Sequence, residues 1–257
     1  MNITGMIPAR MASSRYPGKP MAMINGIPMI GHVYYRCRMC PELTELYVAT
    51  CDQEVFDYIE SIGGKAVMTA DTHERASDRC AEGMLKIEEE SGTRIDILAM
   101  IQGDEPMVYP EMITEAVQPM IDNPNLLITN LLGQITSQSE FEDPNQVKVV
   151  NDLAGNALYF SREPIPSRKK YSGEIPMFKQ VPIIPFRRDF LIEYNGMEQT
   201  PLEIIESVDM MRIVENGIKI RMIRTRFETH AVDTVADLQY VEQLMKNDSL
   251  LKLYERA

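Results

Sequence analysis

The stretch that decides the fold runs Ile3-Thr4-Gly5-Met6-Ile7-Pro8-Ala9-Arg10-Met11-Ala12-Ser13-Ser14-Arg15-Tyr16-Pro17-Gly18-Lys19-Pro20. Residues 3–7 form a short apolar strand. The loop after it carries three cations, Arg10, Arg15 and Lys19, among small and uncharged residues. Backbone N–H groups and cationic side chains can converge there on the oxygens of a polyphosphate. The whole chain has a formal net charge of −12, so this basic knot calls for a local anionic partner. The loop is read as a phosphate grip, with solvated surface charges as the alternative, and it is neither a Walker Gly-x-x-x-x-Gly-Lys-Ser/Thr nor a Gly-x-Gly-x-x-Gly.

Outward from the loop, the chain repeats a strand–helix rhythm. Apolar strand-like runs at 46–49, 66–68 and 97–101 alternate with helical patterns at 29–38, 55–62 and 76–90. Pro28 stands where a helix-opening proline belongs, and Gly63-Gly64 where a helix stops. The run Ile97-Leu98-Ala99-Met100-Ile101 reads as a strand buried on both faces, which predicts a parallel sheet. Such sheets bind ligands at the carboxyl ends of their strands, and this strand ends in Gln102-Gly103-Asp104-Glu105-Pro106. Asp104 is therefore a candidate for holding a magnesium ion against phosphates gripped by the first loop.

The second half changes character. Strand-like pieces at 126–132, 147–150, 157–160 and 219–223 alternate with polar and proline-rich connections. They are expected to extend the same sheet and cover one edge. Pro164, Pro166 and Pro176 bracket a basic loop containing Arg168, Lys169 and Lys170, either an exposed connection or an acid-binding loop or dimer arm. Near the end, Thr234 and Asp237 have the spacing of a capping box opening a helix over 235–246. That leaves Asp233 as a second candidate metal ligand.

At 257 residues, with 44% hydrophobic and 25% charged side chains, the chain can bury a sizeable core. Its acidic balance argues against a general nucleic-acid or membrane-surface binder, both of which need a basic face. No run of apolar residues long enough to span a bilayer and no signal peptide is recognisable, so a cytoplasmic protein is expected. Cys37, Cys40, Cys51 and Cys80 fit no disulfide framework. The Cys37-x-x-Cys40 pair lies late in a helix, away from the end that stabilises a thiolate, so reduced structural thiols are expected.

Together these motifs resemble the 3-deoxy-manno-octulosonate (Kdo) cytidylyltransferases. The resemblance is carried by residues 7–20, by Gln102-Gly103-Asp104-Glu105-Pro106 and by Asn145-Gln146-Val147-Lys148-Val149-Val150. Ala157-Leu158-Tyr159-Phe160-Ser161-Arg162, Pro201-Leu202-Glu203 with Glu206, and Val232-Asp233-Thr234 complete it. It implies one α/β domain over 1–257 with a Rossmann-like nucleotidyltransferase fold and a mixed, mostly parallel sheet flanked by helices. Residues 1–125 would form the nucleotide-binding half and 126–257 the acceptor-binding and dimerisation half.

It further implies a homodimer that uses Mg2+ and moves CMP from CTP to a keto-acid sugar with release of pyrophosphate. Arg10, Arg15 and Lys19 would hold the CTP phosphates, and Arg79 and Gln102 would contact the nucleotide. Asp104 and Asp233 would coordinate the metal, making Lys19, Asp104 and Asp233 the catalytic set. Ser161, Arg162, Gln180, Glu203 and Glu206 would line the acceptor site.

Three stretches depart from the family pattern. His73-Glu74-Arg75-Ala76-Ser77-Asp78-Arg79 replaces a His-x-Ser-Gly-Thr-(Asp/Glu)-Arg, residues 180–187 lack a His-x-Gly-x-Tyr, and Asp209-Met210-Met211-Arg212 stands for Glu-Gln-Leu-Arg. A pocket that loses polar partners should reject a fully hydroxylated sugar, so within the range of Kdo or a close variant a variant acceptor is expected ahead of Kdo itself. An amino-Kdo, a phosphonate or a non-catalytic nucleotide-binding subunit are the alternatives.

Overall fold

The structure, a computed structural model, describes residues 1–12 and 16–255. Arg15 lies outside the described residues. The chain divides into two compact units, one made of Met1–Thr114 with Thr229–Ala257 and the other of Glu115–Glu228. The segment after 228 thus groups with the N-terminal residues, where the sequence had set the halves at 1–125 and 126–257.

The first unit opens with β1 (Ile3–Ala9), whose seven residues are all buried, and a short hairpin of β2 (Met23–Ile24) and β3 (Ile27–Pro28). Then follow α1 (Met29–Cys37), β4 (Glu45–Thr50), α2 (Gln53–Ser61), β5 (Ala66–Met68), α3 (Ala76–Ser91) and β6 (Ile97–Ile101). Its strands lie in the order β6-β1-β4-β5, all parallel, with Met6 opposite Met100 and Pro8 opposite Ala49. Every residue of β6 is buried, the continuous apolar pattern of a strand covered on both faces. Pro28 is the N-cap of α1, and Gly63 ends α2 in the left-handed region. Close approach of neighbouring strand ends is built into Gly103, where a Cβ would sit 3.1 Å from the Pro8 carbonyl oxygen.

Helix α4 (Pro110–Asp122) leads into the second unit. There β7 (Thr129–Gln134), α5 (Gln138–Glu142), β8 (Lys148–Asn151), β9 (Ala157–Ser161), β10 (Phe178–Val181), β11 (Ile183–Arg187), α6 (Arg188–Asn195), α7 (Pro201–Glu206), α8 (Met210–Glu215) and β12 (Arg221–Arg224) follow. Five of these strands pair among themselves in the order β12-β7-β10-β8-β9, with β12 parallel to β7 and the rest antiparallel. The expectation that the second half extends the first sheet is thus corrected for these five strands, which form a sheet of their own. Of the neighbours only β8 and β9 are joined by a short hairpin, and antiparallel pairing needs no helical crossover of the kind that extending a parallel sheet requires.

The chain closes with α9 (Val235–Met245) in the first unit. Val232, Val241, Met245, Leu251 and Tyr254 pack in one apolar cluster with Ile24 and Met29. A polar chain runs through it: Arg36 Nε donates to the Tyr254 hydroxyl at 2.9 Å, that hydroxyl meets His32 Nδ1 at 2.9 Å, and His32 Nε2 meets the Ile24 carbonyl at 2.8 Å. Because a carbonyl only accepts, Nε2 carries the imidazole proton and Nδ1 accepts from Tyr254. Arg36 also pairs with Asp248, so each buried polar group is satisfied while the C-terminal segment is tied to α1.

Candidate active site

The carboxyl ends of β1 and β6 and the start of α3 enclose a cavity of about 300 Å³. Arg10, Lys19, Arg79, Gln102 and Asp104, five of the residues singled out from the sequence, line it. The loop after β1 is anchored at Met11, whose N–H donates to Asp52 Oδ2 at 2.8 Å and whose carbonyl accepts from Gly18 at 2.9 Å. Gly18, at φ 76°, turns the chain in the left-handed region and opens the 3-10 turn Lys19–Met21. Asp52 was not singled out, although the reasoning applied to Asp104 finds it: it too follows a strand of the parallel sheet at its carboxyl end.

Lys19 reaches from that turn to both candidate metal ligands. Its Nζ lies 2.9 Å from Asp104 Oδ2 and 3.2 Å from Asp233 Oδ1. The two aspartates meet because the Val232 N–H donates to the Asp104 carbonyl at 2.9 Å. Thr234, next to Asp233, caps α9 in the expected reciprocal arrangement with Asp237. The apolar cluster under α9 holds this end of the chain against the first turn.

Arg79 is nearly fully buried on α3. Its Nη1 donates to Thr69 Oγ1 at 2.5 Å and to the Ala70 carbonyl at 3.3 Å, while Nη2 is buried with no hydrogen-bond partner. A buried guanidinium N–H without a partner costs free energy unless a ligand meets it, and this one belongs to a cavity-lining residue. His73, at the same rim, pairs with Glu82. Burial raises the Glu82 carboxyl, but hydrogen bonds from Lys86, the Ala70 N–H and His73 outweigh it and hold the group down at about 2. The pair braces the loop ahead of α3.

In the second unit two of the acceptor candidates, Ser161 and Arg162, form one hydrogen-bonded group around a third, Glu206, and Gln180 and Glu203 have other partners. Glu206 Oε1 accepts from Tyr159 at 3.1 Å and from Ser161 at 3.0 Å, and its Oε2 accepts from the Arg162 N–H at 2.9 Å. The Arg162 guanidinium donates to the carbonyls of Glu206, Pro144 and Ser207. Lys148, fully buried, donates to the carbonyls of Asp143, Gln146 and Arg162, so that Lys148 fixes the backbone of this group. Gln180 donates to Asn130 Oδ1 at 2.7 Å.

Glu203 has a different occupation from the one expected. It is fully buried, and both carboxylate oxygens receive the Arg212 guanidinium at 2.7 Å. A carboxylate so paired ties α7 to α8 and has no exposed edge for an acceptor. Two departures from the family pattern have the same character. Met210 and Met211, and Ile183, Ile184 and Phe186, are buried apolar side chains, so those changes alter core packing.

The four cysteines are free thiols. Burial pushes Cys37 and Cys80 far up and Cys40 to about 11, which leaves them protonated and unreactive at neutral pH. No described helix is long and apolar enough to cross a membrane.

A parallel α/β sheet whose strand ends gather cations, carboxylates and an unpaired buried arginine N–H beside a cavity defines a nucleotide-binding enzyme. A family model described as cytidylyltransferase matches residues 4–220. A 3-deoxy-manno-octulosonate cytidylyltransferase from Geobacter metallireducens is 41% identical over 257 residues, spanning 96% of this chain and 99% of that protein. One of the same name from Pelobacter propionicus is 43% identical over 249 residues, spanning 93% and 95%.

A solved structure of CMP:2-keto-3-deoxy-manno-octonic acid synthetase complexed with CTP superposes with TM-score 0.88 at 39% identity, covering 96% of this chain and 99% of that one. A 4-diphosphocytidyl-2C-methyl-D-erythritol synthase from Anaerococcus prevotii, at 12% identity and TM-score 0.64, shares the fold. This chain belongs to the cytidylyltransferase family and is a nucleotidyltransferase with an α/β Rossmann-like fold.

Proposed function

We propose that the chain transfers CMP from CTP to the anomeric hydroxyl of Kdo and releases pyrophosphate. The observation that carries this reading is the convergence of Lys19, Asp104 and Asp233 beside the cavity. The Kdo-specific names of relatives at about 40% identity across the chain support Kdo itself as the acceptor. Burial of Met210, Met211, Ile183, Ile184 and Phe186 in the core removes two of the three reasons to expect a modified one, and the third departure, with Glu74 and Ala76, lines the cavity.

Mg2+ is the metal this reading assigns to the two aspartates. Among the described residues no third His, Cys, Asp or Glu completes a cage around them. Two hard carboxylates without a full donor set suit Mg2+, which keeps waters and takes substrate phosphate oxygens. Bound there, Mg2+ would lower the pKa of the attacking hydroxyl and screen the phosphate charge from it.

The remaining steps belong to this chain's own side chains. Arg79 presents its unpaired Nη2–H to the nucleotide, and Gln102 and the main chain at the β1 and β6 ends orient it. Arg10 and Lys19, with Arg15 by the family resemblance, neutralise charge on the departing pyrophosphate. The sugar hydroxyl displaces it in line at the α-phosphorus, so positioning and charge neutralisation supply most of the rate.

Ser161, Arg162, Gln180 and Glu206 are proposed to shape acceptor recognition, and the second unit to serve acceptor binding and homodimer formation. A cytoplasmic location suits an enzyme that consumes CTP. Pyrophosphate release from CTP, measured with Kdo, amino-Kdo and phosphonates as acceptors, tests the reading. Release dependent on Kdo supports it; tight CTP binding without release on any acceptor, or release with a phosphonate alone, contradicts it.

A further inference from the structure

Lys19 was expected to hold phosphates, yet its ammonium lies between two carboxylates. The lysine side chain is only 13% exposed, and the aspartates 28% and 21%, so water screens the contact incompletely. Its backbone is fixed by the Gly18 turn and by hydrogen bonds from Met21 to Gly18 and from Ala22 to Lys19. The mobile part is the four-carbon stem, which carries a compact, rotatable point charge.

A divalent cation shared by the same two oxygens would need the place the ammonium now holds. A dication and an ammonium about 3 Å apart repel strongly in a partly dry site, so the two occupants exclude one another. We infer that Lys19 is the resident counter-cation of the Asp104–Asp233 pair and gives way when metal and nucleotide arrive, its ammonium passing to the phosphates. The inference rests on the assignment of the aspartates as metal ligands and deepens it.

Two consequences follow. Metal binding to the free protein is weak, because it must displace an ion pair. Nucleotide strengthens it by giving Lys19 another anionic partner, and by reciprocity metal strengthens nucleotide binding.

The test is the affinity of the nucleotide-free protein for Mn2+, an observable stand-in for Mg2+, followed by electron paramagnetic resonance. Wild type, Lys19→Met and Lys19→Gln are compared, each also with Asp233→Asn, and urea midpoints confirm that every variant is folded. Removing the ammonium is expected to tighten Mn2+ binding by about tenfold or more, and Asp233→Asn is expected to cancel the gain. Equal or weaker Mn2+ binding in both lysine variants, with the Asp233 dependence retained, overturns the exchange while leaving the metal site standing. No Mn2+ binding in any variant, with or without CTP, overturns the metal assignment and the exchange with it.

Discussion

Replacing Glu203 by Gln separates a strut from a substrate contact. The native carboxylate is fully buried and takes two hydrogen bonds of 2.7 Å from Arg212, itself only 5% exposed. Each charge-assisted bond is worth about 1.5–3 kcal/mol. Breaking a buried pair by neutralising one partner costs about 3–5 kcal/mol, since the other charge stays buried.

Some compensation remains. Arg212 keeps contacts of 3.3 Å to the Tyr194 and Met197 carbonyls, and its guanidinium carbon lies 4.9 Å from the centre of the Tyr194 ring. About 3 kcal/mol is therefore the expected loss, which at an m-value of about 2 kcal/mol/M lowers the urea midpoint by about 1.5 M. Equilibrium urea unfolding followed by tyrosine fluorescence and circular dichroism measures it. At a temperature where the variant is folded, the KM for Kdo should change less than about threefold. A wild-type midpoint combined with a KM raised tenfold or more would refute the strut and restore Glu203 to the acceptor site.

Further outcomes follow from other buried groups. Arg79→Lys, which removes the unpaired Nη2–H, is expected to raise the KM for CTP by about tenfold or more and leave the KM for Kdo nearly unchanged. Burial, reinforced by nearby Arg36 and opposed by the hydrogen bond to Ile24, lowers His32 from its unfolded 6.5 to about 4. The unfolded chain therefore binds the proton more tightly, and the neutral ring's contribution is complete above about pH 6.5 and lost as pH falls towards 4. That amounts to about 3 kcal/mol of acid sensitivity, which His32→Gln should flatten in urea titrations across the same range. An unchanged slope would contradict the buried neutral imidazole.

The first unit was largely legible because its signals are local. An unbroken apolar run fixed β6, Pro28 and the Gly63-Gly64 pair marked helix ends, and cations after β1 with Asp104 after β6 fell on the ligand-binding edge by parallel-sheet geometry. The meeting of Asp233 with Asp104 was not a matter of spacing. It depends on one backbone hydrogen bond from Val232 and on the packing of α9, both properties of the folded chain.

The second unit hid its elements for other reasons. Pro182 and Pro185 interrupt the strand signal across β10 and β11, and α7 and α8 are too short to show a helical period. Glu203 and Arg212 sit on different helices, so no spacing rule pairs them. Lys19 shows a further limit: sequence gives a side chain's chemistry and approximate neighbourhood, but not which of two anionic partners it meets.

The most direct test of the account is the turnover of Asp104→Asn and Asp233→Asn with saturating CTP, Kdo and Mg2+, read as pyrophosphate release. Each variant keeps the shape of the site and removes one charge, and each is expected to lose about a thousandfold in kcat. Near wild-type turnover in either variant would contradict the assignment of that aspartate to the transfer.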